Sequence, residues 1–193
     1  MNPRKLLVIS VLAVLLSGCG LLSRTDPERY EIPTSNHTIL ELCDSAKQFF
    51  AILAGTENLK TSPGVGGKAL TDKIDGGNGC FYEKNNGSAR PSHLGHVSLF
   101  RVIDDEHTLS TPPPTNENYP TRVLTVDGVS VKVVTEPLPK DSDPATTRLT
   151  VDLAARIDGW DGELHFRTTE GQTTPDAQAG AQVLVDMVRA LKG

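Results

Sequence analysis

The chain has 193 residues, a formal net charge of −5 and 37 % hydrophobic residues, enough length and apolar content for one domain with its own core. Its 19 Lys and Arg are outnumbered by 24 Asp and Glu, and no run of the sequence concentrates them. Nucleic acid and anionic membrane surfaces are gripped through clustered cations, so this balance argues against both as partners.

The first element is residues 6–20, LLVISVLAVLLSGCG, behind the positive pair Arg4 and Lys5. A spanning helix needs roughly 20 apolar residues, and this run is shorter. Length and flanks fit a secretory signal peptide over residues 1–18. Leu16-Ser17-Gly18-Cys19 looks like a bacterial lipobox. That resemblance implies a diacylglyceryl group on the Cys19 thiol and cleavage just before it. Buried acyl chains contribute about 0.8 kcal/mol per methylene, and two signals anchor stably where one does not. The alternatives are an ordinary cleaved signal with a free cysteine downstream, or a retained anchor. Loss of the signal also removes Arg4 and Lys5, which leaves the mature chain more acidic. With Cys19 acylated, Cys43 and Cys80 remain. In an oxidising compartment such a pair is expected to be bridged rather than to persist as two buried thiols.

Residues 19–36 carry Pro27 and Pro33 without periodicity and read as a lipidated tether, followed by one domain over 37–193. TILELCDSAKQFFAIL sets Ile39, Leu42, Cys43, Ala46, Phe49, Phe50 and Leu53 at helical spacing. Thr38 and Glu41 fit a capping box, and Gly55 fits the left-handed stop. Residues 60–79 read as a loop with one helical turn near KALTDKI. GCFYEK and GHVSLFRVI read as strands, and the Pro-rich HTLSTPPPTNENYPT as a long exposed loop. RVLTVDGVSVKVV is a hairpin about Asp127-Gly128, with Val126 opposite Val129 and Leu124 opposite Val131. TRLTVDLAARI alternates Leu149, Val151, Leu153, Ala155 and Ile157 inward. DGWDG turns, and ELHFRT returns with Leu164 and Phe166 inward and His165 outward. The last helix starts with Thr174 as N-cap and Pro175 at its first position. The expected fold is α+β: an antiparallel sheet of about five to six strands with an N-terminal and a C-terminal helix packed on one face.

Few residues suggest chemistry. GVGGK at 64–68 fails as a phosphate loop because Ser62 stands where the motif needs glycine, and no Ser or Thr follows Lys68. His93 and His96 with Asp104–His107 bracket a strand whose ends lie too far apart to share one ion, so no metal site is expected. No cofactor motif and no Gly-x-Ser-x-Gly elbow occurs. Asn86-Gly87-Ser88 fits a glycosylation sequon, which a bacterial lipobox makes incidental. Trp160, the sole tryptophan, sits in a turn, either as a contact residue or folded back over the sheet edge.

The lipobox, the tether, LCDSAKQFF, GCFYEK and AGAQVLVDMVRALKG together resemble the small cell-envelope lipoproteins of mycobacteria and related actinobacteria. In one family of these, a Leu-Cys-like segment pairs with a cysteine closely followed by an aromatic, often Trp. Tyr82 holds that place here. The resemblance implies a Cys43–Cys80 disulfide and supplies no catalytic residues. The expected role is non-catalytic: a domain held at the extracytoplasmic face of the cell membrane, binding an envelope protein or small ligand through Pro112, Pro113, Pro114 and Trp160. A carrier with a pocket among Phe49, Phe50, Phe100 and Phe166 is the alternative. An envelope hydrolase is a second, and would require a cleft joining His93 or His165 to a serine.

Overall fold

The computed structural model describes residues 34–64, 68–85, 87, 92–102 and 119–193. The signal segment, Cys19, Asp104–His107 and Pro112–Pro114 lie outside the described residues.

The mixed α+β architecture is as expected, with three α-helices and an open sheet of seven antiparallel strands among the described residues. The strands are β1 (Leu59–Pro63), β2 (Asn78–Lys84), β3 (Ser92–Arg101), β4 (Thr121–Val126), β5 (Val129–Thr135), β6 (Arg148–Ile157) and β7 (Trp160–Thr169). Their spatial order is β1-β2-β3-β7-β6-β5-β4. The sequence suggests five to six. The extra strand is β1, whose LKTSP lacks apolar alternation and is held instead by pairing with the edge of β2, Leu59 to Lys84 and Pro63 to Cys80. KALTDKI is not helical either. Leu70, Asp72 and Ile74 trade backbone hydrogen bonds with residues 35–40, and Ile74 is fully buried.

The first described helix begins at Ile39, well inside the chain. Its capping box is formed as expected, with Thr38 and Glu41 bonded reciprocally. The His37 ring, then the Thr38 N–H, hold the Glu41 carboxyl down at about 2. The apolar stripe is divided between α1 (Ile39–Ser45) and α2 (Lys47–Ala54), with Ala46 out of helical geometry. At this break the Tyr82 hydroxyl donates to the Cys43 carbonyl at 2.7 Å, an acceptor that a continuous helix would use for the Lys47 N–H. Gly55 ends α2 in the left-handed conformation.

Both two-residue turns use Asp-Gly at positive φ, Asp127-Gly128 and Asp158-Gly159. The first hairpin pairs as its sequence predicts, Val126 with Val129 and Leu124 with Val131. In the second, the turn ends at Gly159, so Trp160, Asp161 and Gly162 belong to β7 and pair with Ile157, Arg156 and Ala155. The last helix, α3 (Thr173–Leu191), follows a 3₁₀ turn and starts before Thr174, so Pro175 is its third residue. The missing N–H of proline is harmless there, inside the first turn.

All three helices cover one face. Cys43 on α1 meets Cys80 on β2 with sulfurs at bonding distance, 2.09 Å, and Cα atoms 5.2 Å apart. The α3 helix lies over β6 and β7, close enough that a Cβ at Gly162 would strike Val188 and one at Gly180 would come within 2.8 Å of Leu153. The core between the layers includes Leu42, Phe50, Tyr82, Val97, Leu153, Leu164, Phe166, Leu184 and Val188, all at most 1 % exposed. Ser35, assigned by composition to the tether, is buried and donates to the Leu191 carbonyl at 2.6 Å.

Candidate functional site

The face of the sheet opposite the helices carries the ionisable groups. Alternation places Asp152 and His165 there on adjacent strands, paired directly across β6 and β7. The His165 Nδ1 and Asp152 Oδ1 share a hydrogen bond at 2.6 Å. His96, opposite His165 on β3, lies flat against it with ring centroids 4.9 Å apart and planes 18° apart. The Phe81 ring of β2 stands edge-on to both His96 and His93, at 5.4 and 5.7 Å.

His93 and His96 are an odd number of residues apart, which in a regular strand would put them on opposite faces. A bulge in β3 reverses this. Tyr82 pairs with Gly95 and Glu83 with His93, leaving Leu94 as the extra residue. Gly95 is required at that point, because a Cβ would collide with the His165 carbonyl and come within 2.7 Å of Phe50. The result is a continuous track of rings from His93 through Phe81 and His96 to His165, ending on Asp152.

This track is more enclosed than an open sheet face usually is, with Asp152 and Asp161 only 8 % and 4 % exposed. Burial, then the neighbouring His165 and His93, push the His96 imidazole down to about 4 against the opposing pull of Asp152. Burial and then His165 also lower His93. Arg156 donates to both oxygens of Asp161, at 2.7 and 2.9 Å. His96 Nδ1 is buried without a hydrogen-bond partner.

At one end of this face a cleft of about 490 Å³ is lined by Ala54, Lys84, Ser92, His93, Leu94, Arg148 and Arg167. A groove of about 550 Å³ lies at the other end, beside Val123, Lys132, Arg156 and Asp158.

The sequence-predicted contact residue Trp160 is not in a turn. It opens β7, is 2 % exposed, and is capped by the Arg101 guanidinium 5.6 Å from its ring. Of the four phenylalanines considered for a carrier pocket, Phe49, Phe50 and Phe166 pack on one another at 5.1–5.3 Å. Phe100 lies on the opposite face, beside Gly77. Among the described residues no serine hydroxyl bonds to His93, His96 or His165, and no group of three His, Cys, Asp or Glu is arranged to hold a metal ion. No described helix is long and apolar enough to cross a membrane.

Alternation alone places His165 outward and does not link it to Asp152. The signal was present in the Asp158-Gly159 turn, because counting pairs outward from it brings residue 152 opposite 165. No local pattern announces the bulge at Leu94. Comparison with known proteins finds no family model, curated protein or solved structure that matches this chain.

Proposed function

We propose that the chain is a lipid-anchored envelope domain with a non-catalytic binding role, held at the extracytoplasmic face of the membrane through Cys19, and that it binds its ligand or partner on the helix-free face of the sheet. The observation that carries this reading is the unequal treatment of the two faces. One is closed under three described helices; the other keeps aligned imidazoles, buried carboxylates and a groove, with a second cleft where its end meets the C-terminal end of α2. Burying that many polar groups is costly unless they are satisfied or used. Such a surface suits a polar ligand better than an apolar one, and that favours binding over lipid carriage.

Photocrosslinkers placed singly at Lys132, Ser130 and Arg167 on the helix-free face, and at Asp186 and Arg189 on α3, test this in native envelopes. Adducts confined to the first group support the reading. Equal yields from both groups overturn it.

A further inference from the structure

We propose that the cleft at the end of the sheet, between the helix-free face and the C-terminal end of α2, is an oxyanion site, built by Lys84, Arg148 and Arg167 with His93 and Ser92, for a dianionic phosphate group carried by a small molecule or a lipid headgroup. This rests on the binding role proposed for that face and names the chemistry one end of it recognises.

The sequence gives no hint of a basic cluster, because the cations come from three separated strands. Lys84 closes β2, Arg148 opens β6 and Arg167 lies near the end of β7. Antiparallel pairing sets Arg148 opposite Thr169 and Arg167 opposite Thr150, so the two guanidiniums are diagonal neighbours on one face. The bulge at Leu94 turns His93 toward the same space. The described lining of the cleft contains no carboxylate.

Among the described residues these cations meet few acids, although the chain is rich in them. Arg156, on the same strand and face as Arg148, is held by Asp161. Glu83, the acid nearest His93, is paired with Lys60 at 3.7 Å. Asp176, which accepts from Thr168, lies in the adjoining smaller cleft that shares Arg148 and Arg167, outside the lining of the larger one. Among the described residues the Arg148 and Arg167 side chains make no ion pair or hydrogen bond. Lys84 donates a hydrogen bond to the Ala54 carbonyl at 3.3 Å, at the C-terminal end of α2, which holds its ammonium at the rim. Like charges gathered without counter-charge destabilise a fold unless a ligand supplies it. Two guanidinium forks match the oxygens of a phosphate, and the ammonium adds the third charge.

The test is titration of the folded domain with inorganic phosphate against chloride at matched ionic strength, read by NMR shifts of the arginine side chains and of His93. A parallel arm uses phosphatidylcholine vesicles with and without phosphatidic acid. Saturable shifts at Arg148, Arg167 and His93, weakened about tenfold or more in Arg167→Gln and Arg148→Gln and unchanged in Lys47→Gln, an exposed position on α2, support the site. Response to phosphate assigns it to soluble phosphates, and response to phosphatidic acid alone assigns it to a headgroup. No saturable response in either arm, or equal weakening by Lys47→Gln, overturns it. The crosslinking experiment uses no phosphate, so the broader binding role can stand if this site falls, or fall by itself.

Discussion

His96 shows how position rather than residue type sets chemistry. Its ring is wedged between Phe81 and His165 and held at about 4, whereas an unfolded chain protonates it near 6.5. Between those values the unfolded state binds more protons, so stability is complete above about 6.5 and is lost as pH falls toward 4. The shift corresponds to up to about 3 kcal/mol. His93 contributes in the same direction. Urea midpoints measured across this range should slope upward with pH, and His96→Phe should flatten much of that slope while keeping the stack. An unchanged slope would remove His96 as the cause. A second prediction at this scale concerns Gly162, where α3 crosses closest to β7. Gly162→Ala would push a methyl into Val188 and Leu184 and should cost about 1–3 kcal/mol by overpacking, partly recovered when combined with Val188→Ala.

At the scale of elements, the covalent tie between α1 and β2 holds the shorter helices against the edge of the sheet. The bridge closes a span of 37 residues, worth about 4 kcal/mol from loop-closure entropy. Cys43→Ala combined with Cys80→Ala should lower the urea midpoint by a corresponding amount. The loss should fall first on α1, α2 and β1, read as hydrogen exchange there ahead of β6 and β7. Uniform loss of protection would mean that the bridge supports the whole sheet equally. The hairpins were legible in advance because Asp-Gly between alternating residues fixes both turn type and register from a few neighbouring positions. Applied at residues 158–159, the same rule places Trp160 in a strand. Reading DGWDG as one long turn hid that. β1 was not legible, because its order comes from an unpaired edge of β2 rather than from its own side chains.

For the whole molecule, the sheet divides the labour. One face is closed by helices and a disulfide; on the other, the described residues set imidazoles and carboxylates side by side, and the proposed binding role falls there. The proposed anchor belongs to this scale as well. Replacing Cys19→Ala should release the protein from envelope membranes, and intact mass should lose the diacyl increment. A variant that stays membrane-bound at unchanged mass would end the lipoprotein reading. With Pro112–Pro114 outside the described residues and Trp160 buried, the binding surface proposed is one that no single segment of sequence contains.

By itself the sequence determined the α+β class, the Asp127-Gly128 turn and its register, the alternation of β6, the capped entry of α1 and the cysteine pair. Each of these is set by residues close together in the chain, or by the small number of cysteines. Only the tertiary structure decided that Trp160 is core, that Tyr82 divides the first helix, and that His93 shares a face with His96. It also decided that Lys84, Arg148 and Arg167 converge in an acidic chain. Those outcomes depend on strand order, on one bulge and on which face the helices cover. All three are choices between distant segments, settled by how the apolar surfaces fit together rather than by any local pattern.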